Sequence, residues 1–249
     1  ILVTGGARGL GAAIAAAAME DGYRVGAVDI DVDGVPARPE QETFAASITD
    51  EESVEELLDR FGTPDVLVNN AGIVRFGPLP DLTTQVFRDV VEVNLVGTFV
   101  MARAIACRWI AAGRSGVVVN TTSMSGVAAG PNAGSYGASK ADVAMLTSQM
   151  ALEWGHHGIR VDAVAPGLID AGMSEVIHAE AATHEARRSK VPLGRLGAAS
   201  DIADMVLFFA LDRASNVHGQ NIVVDGGVTG SIIAHLRRPA SLNSVRMGE

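Results

Sequence analysis

The feature that most constrains the fold of this chain is the alternation of short, almost wholly apolar runs with longer helical patterns. The run Val117-Val118-Val119 is apolar throughout, which is typical of a strand buried on both faces of a parallel sheet. Seven strands are predicted, at Ile1–Thr4, Arg24–Val28, Thr43–Ala46, Val66–Asn69, Val117–Thr121, Arg160–Val164 and Asn221–Val224. Helices are predicted between and after them, at Gly9–Asp21, Glu51–Phe61, Thr83–Ala112, Ser135–Trp154, Gly172–Lys190 and Ser200–Leu211.

This order of strands and helices predicts βαβ units. We therefore expect a single-domain α/β fold, a Rossmann-type doubly wound parallel sheet of about seven strands with helices on both faces. The polar segment from Asp31 to Gln41 is too short for a full crossover helix. Since no repeat or linker divides the 249 residues, we expect residues 1–229 to form the domain and residues 230–249 a C-terminal extension. Ligands of such folds bind at the carboxyl ends of the strands.

Composition excludes several classes of protein. The formal net charge of −10 argues against nucleic-acid and anionic-membrane partners. The sequence contains no run of 18 apolar residues, so no membrane span is predicted. A single cysteine, Cys107, excludes a disulfide framework and a multi-cysteine metal site; no metal is expected, and Cys107 is predicted to be a small buried residue. We expect a cytoplasmic protein without a signal peptide, and a few residues preceding Ile1, which lies within a strand pattern.

A glycine-rich turn follows the first strand directly, in Thr4-Gly5-Gly6-Ala7-Arg8-Gly9-Leu10-Gly11. Glycines allow a tight turn and a close approach of the backbone to a pyrophosphate, and the N-terminus of the following helix favours an anion. The segment is therefore a candidate dinucleotide site, with Gly5, Arg8, Gly9, Leu10 and Gly11 as binding residues. The alternative is an ordinary glycine-rich turn between a strand and a helix.

Asp29 ends the second predicted strand, 18 residues beyond Gly11, and Ile30 follows it. A carboxylate at this place can accept hydrogen bonds from the adenosine ribose and repels a 2′-phosphate, which favours NAD over NADP. Arg8 argues the other way, because a guanidinium in the glycine turn could pair with a 2′-phosphate. We expect NAD as the cofactor.

Tyr136 and Lys140 lie four residues apart at the start of a predicted helix, and so on one face of it. A neighbouring ammonium stabilises a phenolate and so lowers the phenol's pKa toward the range that acid/base catalysis needs. Ser123 ends a strand and could polarise a carbonyl beside the tyrosine. The alternatives are a chance pair on a helix surface and a plain turn serine.

Taken in order, these motifs and four others resemble the short-chain dehydrogenase/reductase family. The resemblance covers Ile1 to Gly227. It is carried by Thr4-Gly5-x-x-x-Gly9-x-Gly11, Asn69-Asn70-Ala71-Gly72, Val93-Asn94-Leu95, Ser123, Tyr136-x-x-Ser139-Lys140, Pro166-Gly167 and Asp225-Gly226-Gly227. Each motif is weak alone, and the ordered set is specific.

The resemblance implies roles for four catalytic residues. Tyr136 is expected to be the general acid/base and Ser123 to orient the substrate, while Lys140 holds the nicotinamide ribose and lowers the tyrosine pKa. Asn94 is expected to maintain a water-linked proton relay to Lys140. Further cofactor contacts are expected from Asn70, Ala71 and Gly72 on the adenosine side and from Pro166, Gly167 and Ile169 at the nicotinamide, besides Tyr136 and Lys140 themselves.

The implied activity is NAD(H)-dependent hydride transfer to or from a secondary alcohol or ketone. Two alternatives remain open: an NADPH-dependent reductase of 3-oxoacyl thioesters on acyl carrier protein, and a non-catalytic sensor of NAD(H). Relatives commonly form tetramers through two long helices, here predicted at Thr83–Ala112 and Ser135–Trp154, so a homotetramer is expected. Substrate contacts are expected from Ser125, Ala129, Pro131 and Met173.

The chain departs from the family pattern at several positions. Ser47 stands where an aspartate often contacts adenine, so that contact is expected from Ile48 and backbone. Ala171 stands where a threonine, five residues after the proline of Pro166-Gly167, commonly binds the nicotinamide carboxamide. Asp162 replaces a usual asparagine. None of these changes removes a reacting group.

Overall fold

The computed structural model describes residues 1–36, 38–172 and 179–231. These residues build one seven-stranded sheet whose strand order is β3-β2-β1-β4-β5-β6-β7, with every neighbouring pair parallel. The strands are β1 Leu2–Thr4, β2 Val25–Asp29, β3 Gln41–Ala45, β4 Val66–Asn69, β5 Gly116–Thr121, β6 Ile159–Pro166 and β7 Asn221–Val224. The predicted doubly wound parallel sheet is confirmed, with strand ends that differ from the predicted ones by up to two residues.

The described helices are α1 Gly9–Glu20, α2 Glu51–Phe61, α3 Thr84–Val91, α4 Gly97–Ala111, α5 Gly134–Trp154, α6 Ala181–Arg188 and α7 Ala199–Ala210. A π-helical turn, Glu92–Val96, joins α3 to α4, so the single helix predicted at Thr83–Ala112 is interrupted at its centre. Of the helix predicted at Gly172–Lys190, only α6 is helical within the described part, and residues 173–178 lie outside it. As the short Asp31–Gln41 segment predicted, the described residues between β2 and β3 contain no helix.

The sheet separates two apolar cores, because successive side chains of its buried strands point to opposite faces. Val118 of β5 packs with residues of α2, α4 and α5, whereas Val119 packs with residues of α1 and α7. Trp109 of α4 is fully buried on the first side, where its Nε1–H donates to the carbonyl of Pro64 at 2.7 Å. Helices therefore cover both faces of the sheet.

The helical run from Thr84 to Ala111 is long and apolar enough to cross a membrane, with a mean hydropathy of 1.6 over its most apolar window. Half of that window is buried inside the protein. A core helix of a globular protein has the same length and composition, and the packing of Trp109 shows α4 in that role.

Cys107 lies on α4 with its side chain exposed, so the prediction that it is a small buried residue is wrong. Its neighbours Ile105 and Ala106 face the core, and Trp109 does so as well. The apolar context of Cys107 in the sequence therefore did not specify its face, because a helix turns by about 100° per residue.

The order in which strands are added to the sheet reverses between β1 and β4, which are neighbours in space but are separated by β2 and β3 in sequence. Such a reversal opens a crevice outside the carboxyl ends of the strands, where doubly wound proteins bind their ligands.

Candidate functional site

The glycine turn is fastened to β4 by side chains at the carboxyl edge of the sheet. The Oγ1 of Thr4 accepts the backbone N–H groups of Asn70 and Ala71, both at 3.0 Å. Asn70 in turn donates from Nδ2 to the carbonyls of Thr4 and Gly5, at 3.1 and 3.3 Å. A side chain at Gly11 would place its Cβ 2.0 Å from the carbonyl oxygen of Gly5. The first turn of α1 must therefore carry glycine here to lie against the loop.

Asp29 ends β2 beside this turn, and its carboxylate oxygens can accept more hydrogen bonds than the protein supplies. Its Oδ1 accepts the N–H of Ile30 at 2.9 Å, and its Oδ2 accepts the N–H of Ala7 at 3.4 Å. Ile30 is 75% exposed, which leaves a bare apolar surface next to the carboxylate. Arg8 is also exposed, and within the described part of the chain it forms no ion pair.

These residues fit a dinucleotide. The glycine turn and the N-terminus of α1 offer backbone N–H groups without an acidic side chain in the first turn, which suits a pyrophosphate. The carboxylate of Asp29 retains acceptor capacity for ribose hydroxyls, and Ile30 provides an apolar surface for a base. Leu10, by contrast, is turned inward and packs against the core formed by α1 and α7.

Ser123 and Tyr136 are brought together by a close contact between a short turn and a helix. Ser123 lies in extended backbone just before the 3₁₀ turn Met124–Gly126, and its Oγ accepts the N–H of Ser125 at 3.1 Å. Gly137 lies so close to this turn that a Cβ there would be 2.9 Å from the carbonyl oxygen of Ser125. The first turn of α5 thus places the Tyr136 phenol beside the Ser123 hydroxyl.

Lys140 is buried one helical turn further along α5. Only 3% of the residue is exposed, and its Nζ donates to the carbonyl of Thr121, at the end of β5, over 2.6 Å. Burial lowers the pKa of this ammonium from 10.5 to about 8. The same Nζ lies 5.9 Å from the centroid of the Tyr136 ring, so the two side chains share one face of α5 as the spacing predicted.

The pKa of Tyr136 is raised, whereas the resemblance implied that it is lowered. Burial raises the pKa of the phenol, the hydrogen bond from Ser123 opposes that rise, and the net direction is upward. The ammonium of Lys140 is turned to the Thr121 carbonyl rather than to the phenol oxygen. Within the protein alone, therefore, the net shift of the tyrosine pKa is upward, and the lowering by Lys140 that the resemblance implied stays a prediction.

Asn94 lies in the π-helical turn and is fully buried. Its Oδ1 accepts the N–H of Ile73 at 2.8 Å, and its Nδ2 donates to the carbonyl of Ile73 and to the Oγ of Ser139, both at 3.0 Å. The Ser139 hydroxyl donates to the carbonyl of Tyr136 at 2.8 Å. Asn94 therefore joins the segment after β4 to the first turn of α5. Beside it, a Cβ on Gly72 would lie 3.5 Å from the Lys140 Nζ.

The far side of the crevice is formed by the residues that follow β6. Gly167 packs directly on Asp225, and its N–H donates to the carbonyl of Val224 at 2.9 Å. Ile169 is buried in the core formed by α1 and α7, and Ala171 packs at the edge of that core. Pro166 ends β6.

Two other predicted cofactor contacts, Ile48 and Ser47, have side chains that already contact other parts of the protein. Ile48 is buried against Gly97 of α4, so its side chain is mostly committed to the core. The hydroxyl of Ser47 is paired with that of Thr49 at 3.0 Å.

Among the predicted substrate contacts, Ser125 is partly buried, Ala129 and Pro131 are exposed, and Met173 lies outside the described residues.

Two residues without a predicted role support the site. Thr4 holds β4 against the glycine turn, and Ser139 connects Asn94 to the backbone of Tyr136. Both belong to motifs visible in the sequence, but a hydroxyl's partner depends on which strands and helices become neighbours. Among the described residues, no group of three or more His, Cys, Asp or Glu side chains could hold a metal ion.

The strand order, the glycine turn and the pairing of Tyr136 with the buried Lys140 define a class of protein: Rossmann-type oxidoreductases that use a nicotinamide dinucleotide. Comparison with known proteins narrows the class. A family model described as Enoyl-(Acyl carrier protein) reductase matches residues 5–229. Sorbitol dehydrogenase of Cereibacter sphaeroides is 36% identical over 244 residues, which cover 91% of this chain and 95% of that protein. A 3-oxoacyl-[acyl-carrier-protein] reductase of Thermotoga maritima is 36% identical over 241 residues, covering 91% and 96%.

Solved structures agree with these relatives. A 4-hydroxyisoleucine dehydrogenase complexed with NADH superposes with a TM-score of 0.86 at 32% identity, covering 92% of this chain and 98% of that one. A gluconate 5-dehydrogenase of Burkholderia cenocepacia in complex with NADP and tartrate gives 0.85 at 30% identity, covering 93% and 95%. The chain belongs to the short-chain dehydrogenase/reductase family. It is an oxidoreductase of that family, acting on CH–OH groups with a nicotinamide dinucleotide.

Proposed function

We propose that this protein is an NAD(H)-dependent dehydrogenase of secondary alcohols, or reductase of the matching ketones, in which Tyr136 is the general acid/base. The observation that carries the proposal is the grouping of the Ser123 hydroxyl, the Tyr136 phenol and the buried Lys140 ammonium at the carboxyl end of β5. The glycine turn and Asp29 lie at the same edge of the sheet.

The bound dinucleotide supplies a nicotinamide carbon that accepts or donates the hydride. The protein's part is to hold the substrate and to move the proton. Ser123 donates to the substrate oxygen and holds it beside Tyr136, whose phenol gives up or takes the proton of that oxygen. Lys140 provides a buried cation for the nicotinamide ribose.

Asn94 keeps the first turn of α5 in place through Ser139. We assign to it the water-linked proton relay to Lys140 that the family resemblance implies. In the protein alone, the Tyr136 pKa is raised. We therefore assign the lowering of that pKa to the loaded enzyme.

For cofactor binding we assign the glycine turn to the pyrophosphate and Asp29 with Ile30 to the adenosine. Asn70, Ala71 and Gly72 line the centre, and Pro166, Gly167 and Ile169 the nicotinamide end. Ser47 and Ile48 contribute backbone rather than side chains, since both side chains are engaged elsewhere.

NAD is favoured over NADP by Asp29, whose free acceptor capacity suits a ribose diol and whose charge repels a 2′-phosphate. The exposed Arg8 favours NADP instead, and it supports the second candidate function, an NADPH-dependent reductase of 3-oxoacyl thioesters. Calorimetric titration with NADH and with NADPH separates the two. We expect NADH to bind more tightly, and tighter NADPH binding would overturn the assignment of Asp29.

A non-catalytic sensor of NAD(H) remains the rival from another class, and Tyr136→Phe separates it from an enzyme. A panel of secondary alcohols and ketones, including sorbitol, gluconate and 3-oxoacyl thioesters, is first tested with both cofactors. We expect turnover of at least one compound and a loss of at least about 10²-fold in the variant, the usual scale of general acid/base catalysis. A chain that binds NADH but turns over nothing in the panel would favour the sensor.

We further propose a cytoplasmic homotetramer with residues 1–229 as its catalytic domain. Exposed apolar side chains on α3, α4 and α5, namely Phe87, Phe99, Met145 and Leu152, support self-association. Sedimentation analysis tests the tetramer. The substrate is expected to lie beside Ser125, Ala129, Pro131 and Met173.

A further inference from the structure

Thr121 carries a hydroxyl that the protein itself does not use. The residue ends β5 and is 7% exposed, and its Oγ1 is buried without a hydrogen-bond partner among the described residues. The next residue, Thr122, contrasts with it, because its hydroxyl contacts the Oδ1 of Asn221 at 2.6 Å and the carbonyl of Val164 at 3.1 Å. A buried hydroxyl without a partner is unfavourable, so such groups in proteins call for a physical explanation.

The orphan hydroxyl lies on the same face of the sheet as the glycine turn. Along β5, Val119 points into the core formed by α1 and α7, whereas Asn120 points the other way and donates to Thr147 of α5. Since side chains alternate along a strand, Thr121 points to the same side as Val119. Leu10, Ile169 and Ala171 pack at that same core.

A second observation concerns a hydroxyl that the chain lacks. The family pattern has a threonine five residues after Pro166, where it binds the nicotinamide carboxamide, and this chain has Ala171. Ala171 is partly buried at the edge of the core that Thr121 faces. The chain therefore lacks one hydroxyl and has an unpartnered one on a single side of the sheet.

We propose that Thr121 is a cofactor-binding residue whose hydroxyl hydrogen-bonds the nicotinamide carboxamide in place of the hydroxyl absent at Ala171. The proposal requires a χ1 rotamer of Thr121 that turns the oxygen toward the crevice. Lys140 leaves this hydroxyl free, because its ammonium is bonded to the backbone carbonyl of the same residue. The inference rests on the proposed dinucleotide function.

The test is cofactor binding by Thr121→Val, which removes the hydroxyl and keeps the shape of the side chain. Fluorescence titration with NADH and NADPH gives the Kd for whichever binds the wild type more tightly. We expect Thr121→Val to weaken it roughly two- to thirteen-fold, as the loss of one hydrogen bond does, and Thr121→Ser to retain it. ADP-ribose, which lacks the nicotinamide, is expected to bind wild type and variant equally.

The unfolding midpoint distinguishes a binding role of Thr121 from a structural one, because loss of a structural hydrogen bond would lower it. Because the hydroxyl has no partner, Thr121→Val is expected to leave the unfolding midpoint of the unliganded protein unchanged or raised. Thr122→Val, the matched control, is expected to lower it, because it removes the hydroxyl that donates to the Asn221 Oδ1 and the Val164 carbonyl. In the Thr121→Val background, Ala171→Thr is expected to restore NADH binding.

The outcomes separate the inference from the proposed function. If Thr121→Val binds the dinucleotide as the wild type does, or weakens ADP-ribose equally, the role of Thr121 is overturned while the dinucleotide function stands. If the wild type binds neither NADH nor NADPH, the proposed function fails and the inference with it.

Discussion

The burial of Lys140 makes the stability of this protein depend on pH in a way that can be measured. The ammonium is 3% exposed, and burial lowers its pKa from 10.5 to about 8. Each pKa unit corresponds to about 1.4 kcal/mol, so keeping this group charged in the folded state costs about 3 kcal/mol near neutral pH. Lys140→Met removes the charge and keeps most of the apolar length of the side chain.

The sign follows from proton binding. Between pH 8 and pH 10.5 the unfolded chain holds the proton of Lys140 more tightly than the folded chain does. Stability of the lysine protein therefore rises with pH in this window, relative to the methionine variant. From pH 7.5 to pH 10, about 2 kcal/mol of the cost should be relieved. The lost bond to the Thr121 carbonyl adds an offset that does not depend on pH.

Urea unfolding at a series of pH values from 7.5 to 10 measures the difference between the two chains. Both should carry Tyr136→Phe, so that this phenol does not titrate over the same range. Lys190, the one other lysine in the sequence, is exposed, and Lys190→Met is the matched control, for which a flat difference is expected. A flat difference for Lys140→Met as well would mean that the folded protein does not destabilise the ammonium, and the burial argument would be wrong.

Three further predictions test the packing. Gly11→Ala is expected to abolish detectable NADH binding in a fluorescence titration, because its Cβ would overlap the Gly5 carbonyl and move the glycine turn. Trp109→Phe is expected to lower the free energy of unfolding by about 1 to 3 kcal/mol in urea, since it leaves the buried Pro64 carbonyl without its donor. Cys107→Ser is expected to change it by less than about 0.5 kcal/mol, because the thiol is exposed; a larger loss would contradict its position.

Local pattern was sufficient to predict the sheet and the register of the Tyr136–Lys140 pair. Continuous apolar runs such as the one in β5 occur where both faces are covered, and helical periodicity alone puts residues four apart on one face. Residues at strand ends could be assigned to the ligand edge because all strands of the sheet are parallel. These inferences need only neighbours along the chain.

Properties that depend on neighbours in space were not predictable in the same way. The π-helical turn around Asn94 occurs inside an unbroken apolar helical pattern, and no residue type marks it. Cys107 is exposed in an apolar context. The Tyr136 pKa is raised because burial outweighs the Ser123 hydrogen bond, and burial of one ring depends on the whole fold. The commitment of Ile48 to the core depends likewise on its contact with Gly97 of α4.

At the end of β5, Thr121 faces both sides of the site. The carbonyl of Thr121 accepts the buried ammonium of Lys140, and its hydroxyl points toward the opposite core, where Ile169 and Ala171 lie. The one hydrogen bond described for that ammonium goes to this carbonyl, and a ribose bound beside it would add acceptor oxygens. Because hydrogen bonds to the charged form favour it, the bound cofactor should raise the Lys140 pKa, and NADH binding should take up protons between pH 8 and 9. Calorimetry of the Tyr136→Phe protein in buffers of different ionisation enthalpy measures that uptake without a contribution from the phenol, and Lys140→Met should abolish it. Proton release on binding would instead mean that the cofactor buries the ammonium further.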